Sequence, residues 1–285
     1  MKIIKTIREI EIVVKELKSE KKTIGFVPTM GALHAGHLSL IKRAADENDC
    51  CIISIFVNPT QFNNKTDLEK YPRDIEKDTE FVSKIGCDYI FNPSAEEIYS
   101  DNELISTFDF DFGGMDKLME GKFRPGHFNG VVQIVSKLFR LVKPDKAYFG
   151  KKDFQQLAII HRMVKQLKFD VRIVDCPIVR EESGLAMSSR NERLTVEQRE
   201  TAVNISRILD ESRKRVAEKT PVQLTKWVID NINSVEGLEV EYFDIADTKT
   251  LITINKWQPE SIGCIAVFCG EVRLIDNIEY KTFDV

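Results

Sequence analysis

The chain has 285 residues, and 41 lysines and arginines against 45 aspartates and glutamates give a formal charge of −4. Its 42% hydrophobic and 30% charged residues are those of a folded globular protein long enough for a sizeable core, and exclude a disordered or membrane-embedded chain. The acidic balance excludes a general nucleic-acid binder, which needs a basic face to displace counterions from phosphates; any anion must be held by a local site.

In chain order, Ile3, Ile4, Ile7, Ile10, Val13, Val14 and Leu17 follow a helical period and predict an amphipathic opening helix. Residues 23–27 form a short apolar strand stopped by Pro28; Gly31 and Gly36 flank a turn, and Leu38, Leu40, Ile41, Ala44 and Ala45 carry a second helix. Residues 50–57 are a nearly continuous apolar run, as in a strand buried on both faces of a parallel sheet. A helix follows over roughly 67–85, from Asp67 to the stop before Gly86, then a strand over 88–91. Helix 131–142, strand 146–149, helix 155–167 and strand 171–174 complete an alternation that predicts a doubly wound, Rossmann-like parallel sheet over residues 1–180. Beyond it, helices over 197–217 and 221–232 precede strands over 238–245, 262–269 and 271–278. The last two are separated only by Gly270, as in a tight hairpin, and residues 181–285 read as a smaller α+β domain.

Cys50, Cys51, Cys87, Cys176, Cys264 and Cys269 form no Cys-x-x-Cys pair, and several lie in apolar runs where cysteine acts as a small hydrophobe. The thiols point to a reducing compartment. The first 22 residues alternate charge with Ile and Val instead of forming a signal-peptide core, and no stretch is long enough to span a bilayer. A cytoplasmic protein is expected.

Ligands of doubly wound sheets bind beyond the carboxyl ends of the strands, so the peptides right after strands carry the chemistry. The first is Pro28-Thr29-Met30-Gly31-Ala32-Leu33-His34-Ala35-Gly36-His37. His34 and His37, three apart on one helix face, sit at a helix N-terminus, where free N–H groups and the macrodipole favour an anion. A pair of ordinary histidines is the bland alternative. Zinc lacks its third ligand and the Glu of His-Glu-x-x-His, so no resident metal is expected. The second peptide is Gly184-Leu185-Ala186-Met187-Ser188-Ser189-Arg190-Asn191, whose hydroxyls and Arg can wrap phosphate oxygens. Alone it reads equally as a solvated linker with a helix cap at Asn191 or Thr195.

Together the two peptides resemble the HIGH and KMSKS signatures of the nucleotidyltransferase superfamily. Within it the chain resembles the pantoate–β-alanine ligases. The matching segments, in family order, are 25–37, 54–62, Tyr71-Pro72-Arg73, Arg124-Pro125-Gly126-His127-Phe128, 149–156 and 179–191. The resemblance implies an ATP-dependent condensation of (R)-pantoate with β-alanine through a pantoyl adenylate, releasing pyrophosphate and then AMP. It implies ATP contacts from Met30, Gly31, Ala32, Leu33, His34, Ala35, Gly36 and His37, from Gly150, Lys151, Lys152 and Asp153, from Val179, and from Met187, Ser188, Ser189 and Arg190. His34, His37 and Lys152 are the implied catalytic groups, with His37 the family's usual proton donor and Lys152 on the phosphates. Gln61 and Gln156 match the amides that hold pantoate. Neutral amides suit a carboxylate nucleophile, because a tight Arg pair would blunt it. Mg²⁺ is expected to bridge phosphate oxygens with few protein ligands of its own.

Position 151 is Lys where many relatives carry an acid; Lys152 is assigned to the phosphates because it directly precedes Asp153. Arg124 and His127 fit a phosphate role and a loop-structuring role equally. The partners expected are pantoate, β-alanine, ATP and a second copy of the chain, with no nucleic acid or membrane. Closure of the smaller domain over the site would shield the adenylate from water. The alternatives are a related adenylyl- or cytidylyltransferase, whose phosphate acceptor would call for extra cationic residues, and a non-catalytic nucleotide-binding regulator.

Overall fold

Buried β-branched and aromatic residues build a parallel sheet from strands β1 (Lys2–Ile4), β2 (Ile24–Thr29), β3 (Cys50–Ile55), β4 (Tyr89–Phe91), β5 (Lys146–Gly150) and β6 (Arg172–Cys176). The computed structural model describes residues 1–63, 68–69 and 71–281. The strand order is β1-β4-β3-β2-β5-β6, every pairing parallel. Alternate residues of each strand serve opposite faces. Phe26, Ile52 and Phe91 join one core with helices α1 (Ile7–Ser19), α4 (His127–Val142) and α5 (Phe154–Gln166). Val27, Ile53 and Ile90 join another with α2 (Ala35–Asp46) and α3 (Ile75–Val82). Helices on both faces make the sheet doubly wound, as the alternation predicts.

The opening residues depart from the expected helix. Lys2–Ile4 is an edge strand in register with Tyr89–Phe91, and α1 begins only after Thr6. Thr6 and Glu9 form a capping box: the Thr6 hydroxyl accepts from the Glu9 amide at 3.3 Å, and the Glu9 carboxylate accepts from the Thr6 amide at 3.2 Å. The cap leaves Ile3 and Ile4 outside the helix, free to pair with the sheet. The helix expected over 67–85 is shorter: α3 starts at Ile75 behind an Asp74 cap, and Asp67 lies outside the described residues.

After β6 come α6 (Val196–Arg213) and α7 (Pro221–Asn233), then an antiparallel sheet of β7 (Leu238–Asp247), β8 (Glu260–Cys269) and β9 (Val272–Lys281) in order β7-β8-β9. Gly270, at φ +58°, opens the two-residue turn between β8 and β9. This sheet has two apolar faces. Leu238, Phe243, Ile265, Val267, Leu274 and Tyr280 pack with α6 and α7, whereas Tyr242, Ala246, Ile262, Cys264 and Ala266 continue the core of the first sheet. A bulge between Val240 and Tyr242 changes which parity of β7 faces the helices.

Candidate active site

The order β3-β2-β5-β6 puts the switch point between β2 and β5, and the peptides that leave those two strands face each other there. After β2 the chain turns sharply. Gly31 and Ala32 take φ of +83° and +50°, and Thr29 ties the turn to β3 by donating to the Ser54 carbonyl at 2.7 Å. The turn is held from the side by Asp78 of α3, buried at 4% exposure, whose carboxylate accepts from the amides of Ala32 at 3.0 Å and Leu33 at 2.8 Å. A Cβ at Gly31 would come within 2.8 Å of Asp78 Oδ2, so glycine is needed for space as well as conformation. Burial raises the Asp78 carboxyl above its ordinary range, against the pull of its two amide bonds.

The two histidines cap α2. His34 Nδ1 accepts from the Gly36 amide at 3.2 Å, and His37 Nδ1 accepts from the His34 amide at 3.3 Å, with the rings 4.1 Å apart. Because each Nδ1 is an acceptor, each neutral ring carries its proton on Nε2 and offers that N–H outward. Burial, then the nearby Lys152, lowers His34 to about 4; burial, His34 and Lys152 lower His37 to about 3. At neutral pH both are uncharged hydrogen-bond donors, so positive charge in the cleft must come from elsewhere. After β5, the 3₁₀ turn Lys151–Asp153 supplies it through Lys152, half-buried 3.8 Å from Asp153.

These groups border a cleft of about 770 Å³ lined by Met30, His34, Gly36, His37, Gly150, Lys152, Asp153, Val179 and Met187–Arg190. The loop before α6 is tied down by the Met187 amide, which donates to the Val179 carbonyl at 3.0 Å, and by Ser188, whose hydroxyl accepts from the Arg190 amide at 3.2 Å. Ser189 hydrogen-bonds Tyr71, whose buried hydroxyl is raised above its ordinary value. A second cleft of about 870 Å³ shares Met30, His37, Tyr71, Gly150 and Asp153 with the first and adds Gln61, Gln156 and an apolar wall of Phe56, Val131, Ile134, Val135 and Leu138. Gln61 is buried, its Nε2 3.0 Å from Met30 Sδ and its Oε1 accepting from Asn58 at 3.1 Å.

Not every residue singled out in the sequence faces the clefts. Ala32 and Leu33 spend their amides on Asp78, and Ala35 lies exposed in the first turn of α2. Lys151 turns to the other side of its strand end and pairs with Glu279 of β9 at 2.7 Å. The neighbouring glutamines also part. Gln155 is a structural tie, accepting from the Glu120 amide at 2.9 Å and donating to the carbonyls of Met115 and Leu118 at 2.7 and 2.9 Å. Gln156 faces the second cleft.

Arg124 and His127 acquire a structural task. His127 Nδ1 lies 2.9 Å from the Gln61 carbonyl, which can only accept, so His127 donates there; its Nε2 then accepts from Arg124 at 3.3 Å. Burial, then Arg124, lowers His127 to about 4, so the ring is neutral. Arg124 lies 3.5 Å from Glu120, which also accepts from Arg273 at 2.6 and 3.0 Å and from Tyr242 at 2.9 Å. Burial alone would raise the Glu120 carboxyl, but the Arg273 bonds outweigh it and hold it near 2. Among the described residues, no group of three or more His, Cys, Asp or Glu is placed to hold a metal ion, and no helix is long and apolar enough to cross a membrane.

The family model described as pantoate-beta-alanine ligase matches residues 2–279. Pantothenate synthetase of Bacteroides fragilis strain YCH46 is 55% identical over 283 residues, covering 99% of each chain. Among solved structures, pantothenate synthetase from Thermus thermophilus superposes with a TM-score of 0.91 at 38% identity, covering 98% of this chain and 100% of that one. Pantoate-beta-alanine ligase from Francisella tularensis, described as complexed with beta-gamma ATP and beta-alanine, superposes with a TM-score of 0.82 at 37% identity, covering 98% and 97%. The switch-point clefts, with their paired imidazoles, lysine turn and buried amides, thus lie in a chain that belongs to the pantoate–β-alanine ligase family.

Proposed function

We propose that this chain condenses pantoate with β-alanine at the expense of ATP, by way of a pantoyl adenylate. The observation that carries the reading is the continuity of the two clefts: a polar one with imidazole N–H donors and Lys152 opens through Met30, His37, Gly150 and Asp153 into one with two amides and an aliphatic wall. The first suits a triphosphate. The second suits a small branched hydroxy acid, its methyls against Val131, Ile134 and Val135 and its carboxylate oriented by Gln61 and Gln156. A related transferase with a phosphate acceptor would need cations where these amides stand.

In the first step the pantoate carboxylate attacks the α-phosphorus and pyrophosphate leaves. Charge builds on phosphate oxygens, where His34 and His37 donate from Nε2, Lys152 supplies positive charge, and Ser188, Ser189 and Arg190 cover the departing pyrophosphate. Met30, Gly36, Gly150 and Asp153 flank the nucleoside, with Val179 at the base; Lys151 contributes through the turn it shares with Lys152. The β-alanine amine then attacks the acyl carbon and AMP leaves. Magnesium enters with ATP as part of the substrate. On this reading residues 1–180 bind ATP and pantoate, and residues 181–285 cover them from water. Six buried free cysteines accord with a cytoplasmic setting. We also read the chain as a homodimer, and sedimentation equilibrium giving a monomer mass would reject that.

The function is tested by exchange of labelled pyrophosphate into ATP without β-alanine. Exchange that requires pantoate is expected. Absence of both exchange and turnover with β-alanine rejects the reading.

A further inference from the structure

Strand β9 presents one face to the first sheet, and its odd-numbered residues make the contacts in sequence. Arg273 meets Glu120, Ile275 joins the shared core, Asn277 reaches the Lys151–Asp153 turn, and Glu279 pairs with Lys151. Asn277 makes the least ordinary of these contacts. At 5% exposure, its Nδ2 donates to the carbonyls of both Lys151 at 2.8 Å and Lys152 at 3.0 Å. Both partners are carbonyl oxygens, which fixes the amide nitrogen, not the oxygen, toward the turn. The strand holds Asn277 rigidly: its own amide donates to Asp276 Oδ1 at 2.8 Å, and Asp276 receives Arg180 at 2.7 and 3.0 Å, next to the junction between the two parts of the chain. The turn has no side-chain cap at Gly150, and Asn277 ties it from the second sheet.

We propose that Asn277 is a positioning residue for adenylation: by clamping the two carbonyls of the turn from the second sheet, it sets the backbone from which Lys152 reaches the phosphates. The inference rests on the reading of Lys152 as the phosphate lysine. In this role Asn277 acts through the two carbonyls of the turn. A lysine on an anchored turn has less freedom to lose when the triphosphate arrives, and small misplacements of such a group are costly in rate. The second sheet is then a working part of the ATP site, not merely a cover.

A double-mutant cycle in the full-length chain tests this, read by pantoate-dependent exchange of labelled pyrophosphate into ATP and by thermal melting. Asn277→Ala is expected to lower the exchange kcat about 10-fold or more, with the KM for pantoate within about 2-fold of the parent, because only the lysine turn is loosened. Asn277→Asp, of the same shape but with oxygens against both carbonyls, should lose at least as much and serves the cycle if the alanine variant does not fold. Adding Asn277→Ala to Lys152→Ala should cost no more than about 2-fold further, since both changes remove the same interaction. If the two losses multiply, or if the pantoate KM rises in step with the loss of kcat, Asn277 supports the fold generally and the proposal is overturned. A Lys152→Ala protein with undiminished exchange would instead reject the reading of Lys152, and the positioning role with it.

Discussion

Gly130 is the position where one methyl group should separate activity from stability. It lies in the first turn of α4, and its carbonyl accepts from Asn58 at 3.1 Å. A Cβ there would stand 2.5 Å from the Gln61 amide nitrogen and closer still to the Thr60 carbonyl oxygen, where ordinary contact begins near 3.4 Å. In Gly130→Ala the turn carrying Gln61 must therefore retreat by about 1 Å, a displacement of the size that can cost about 10²-fold in rate. Overpacking costs about 1–3 kcal/mol, of which the better helix propensity of alanine returns about 1. The net destabilisation is about 1 kcal/mol. Steady-state kinetics with pantoate and ATP varied in turn should show kcat/KM for pantoate falling about 100-fold while the KM for ATP stays within about 2-fold, with a thermal midpoint only a few degrees lower. A variant with kcat/KM for pantoate within 3-fold of the parent, roughly the scatter of such a comparison, would refute the placement of Gln61 at the pantoate carboxylate.

Asp78→Asn replaces one acceptor by an NH₂ that faces a backbone N–H, so the Gly31–His34 turn should loosen; the KM for ATP is expected to rise about 10-fold, and an unchanged value would remove Asp78 from the site's support. His127 is neutral and buried, its folded value of about 4 lying below the ordinary 6.5, so protons favour the unfolded chain. Its contribution is complete above pH 6.5 and is lost as pH falls from there toward 4, at about 1.4 kcal/mol per pH unit. Urea unfolding of His127→Gln should therefore show a smaller drop between pH 7 and pH 5 than the parent, and an equal drop would contradict the assignment. His34 and His37, shifted in the same direction, should add to the parent's slope. Glu120→Gln removes the charge between Arg273 and Arg124, leaving Glu241 as Arg273's carboxylate partner, and should destabilise by about 3 kcal/mol in urea unfolding. Tyr242→Phe, which deletes one hydrogen bond of the same cluster, should cost about 1 kcal/mol, and a Glu120→Gln cost no larger than that would show the network to be dispensable.

Much of the sheet could be read from the residues because its strands are buried on both faces. Runs such as Cys50-Cys51-Ile52-Ile53 have few other places to go in a folded chain, and Pro or Gly marks their ends. Lys2–Ile4 was hidden by its neighbours: Ile3 and Ile4 fit the helical period of α1, and only the Thr6–Glu9 capping box separates them. The peptides of the two clefts were legible because their signals are local, histidines three apart after a strand and a hydroxyl–Arg loop. Asp78 carried no such signal. An acid on an amphipathic helix ordinarily faces water, and the amides it receives lie 45 and 46 residues earlier. The opposite orientations of Gln155 and Gln156, and of Lys151 and Lys152, are likewise set by what packs around each turn, which spacing along the chain does not encode. Arg124 and His127 fitted two roles equally in the sequence, and the structure supplies a structural one through the distance from His127 to the Gln61 carbonyl.

Strand β8 is a party wall. Ile262, Cys264 and Ala266 close the interior of the first sheet, while Ile265, Val267 and Cys269 close that of the α6–α7 layer. A slip of one residue would exchange the two sets, so its pairing with β7 and β9 must be settled before either interior can be finished. One interior is built from both halves of the molecule: residues 1–180 expressed alone would leave Phe123 without the Tyr242 ring it stacks on, and Glu120 without Arg273. The shared interior is expected to couple the two halves, so that loss of one destabilises the other.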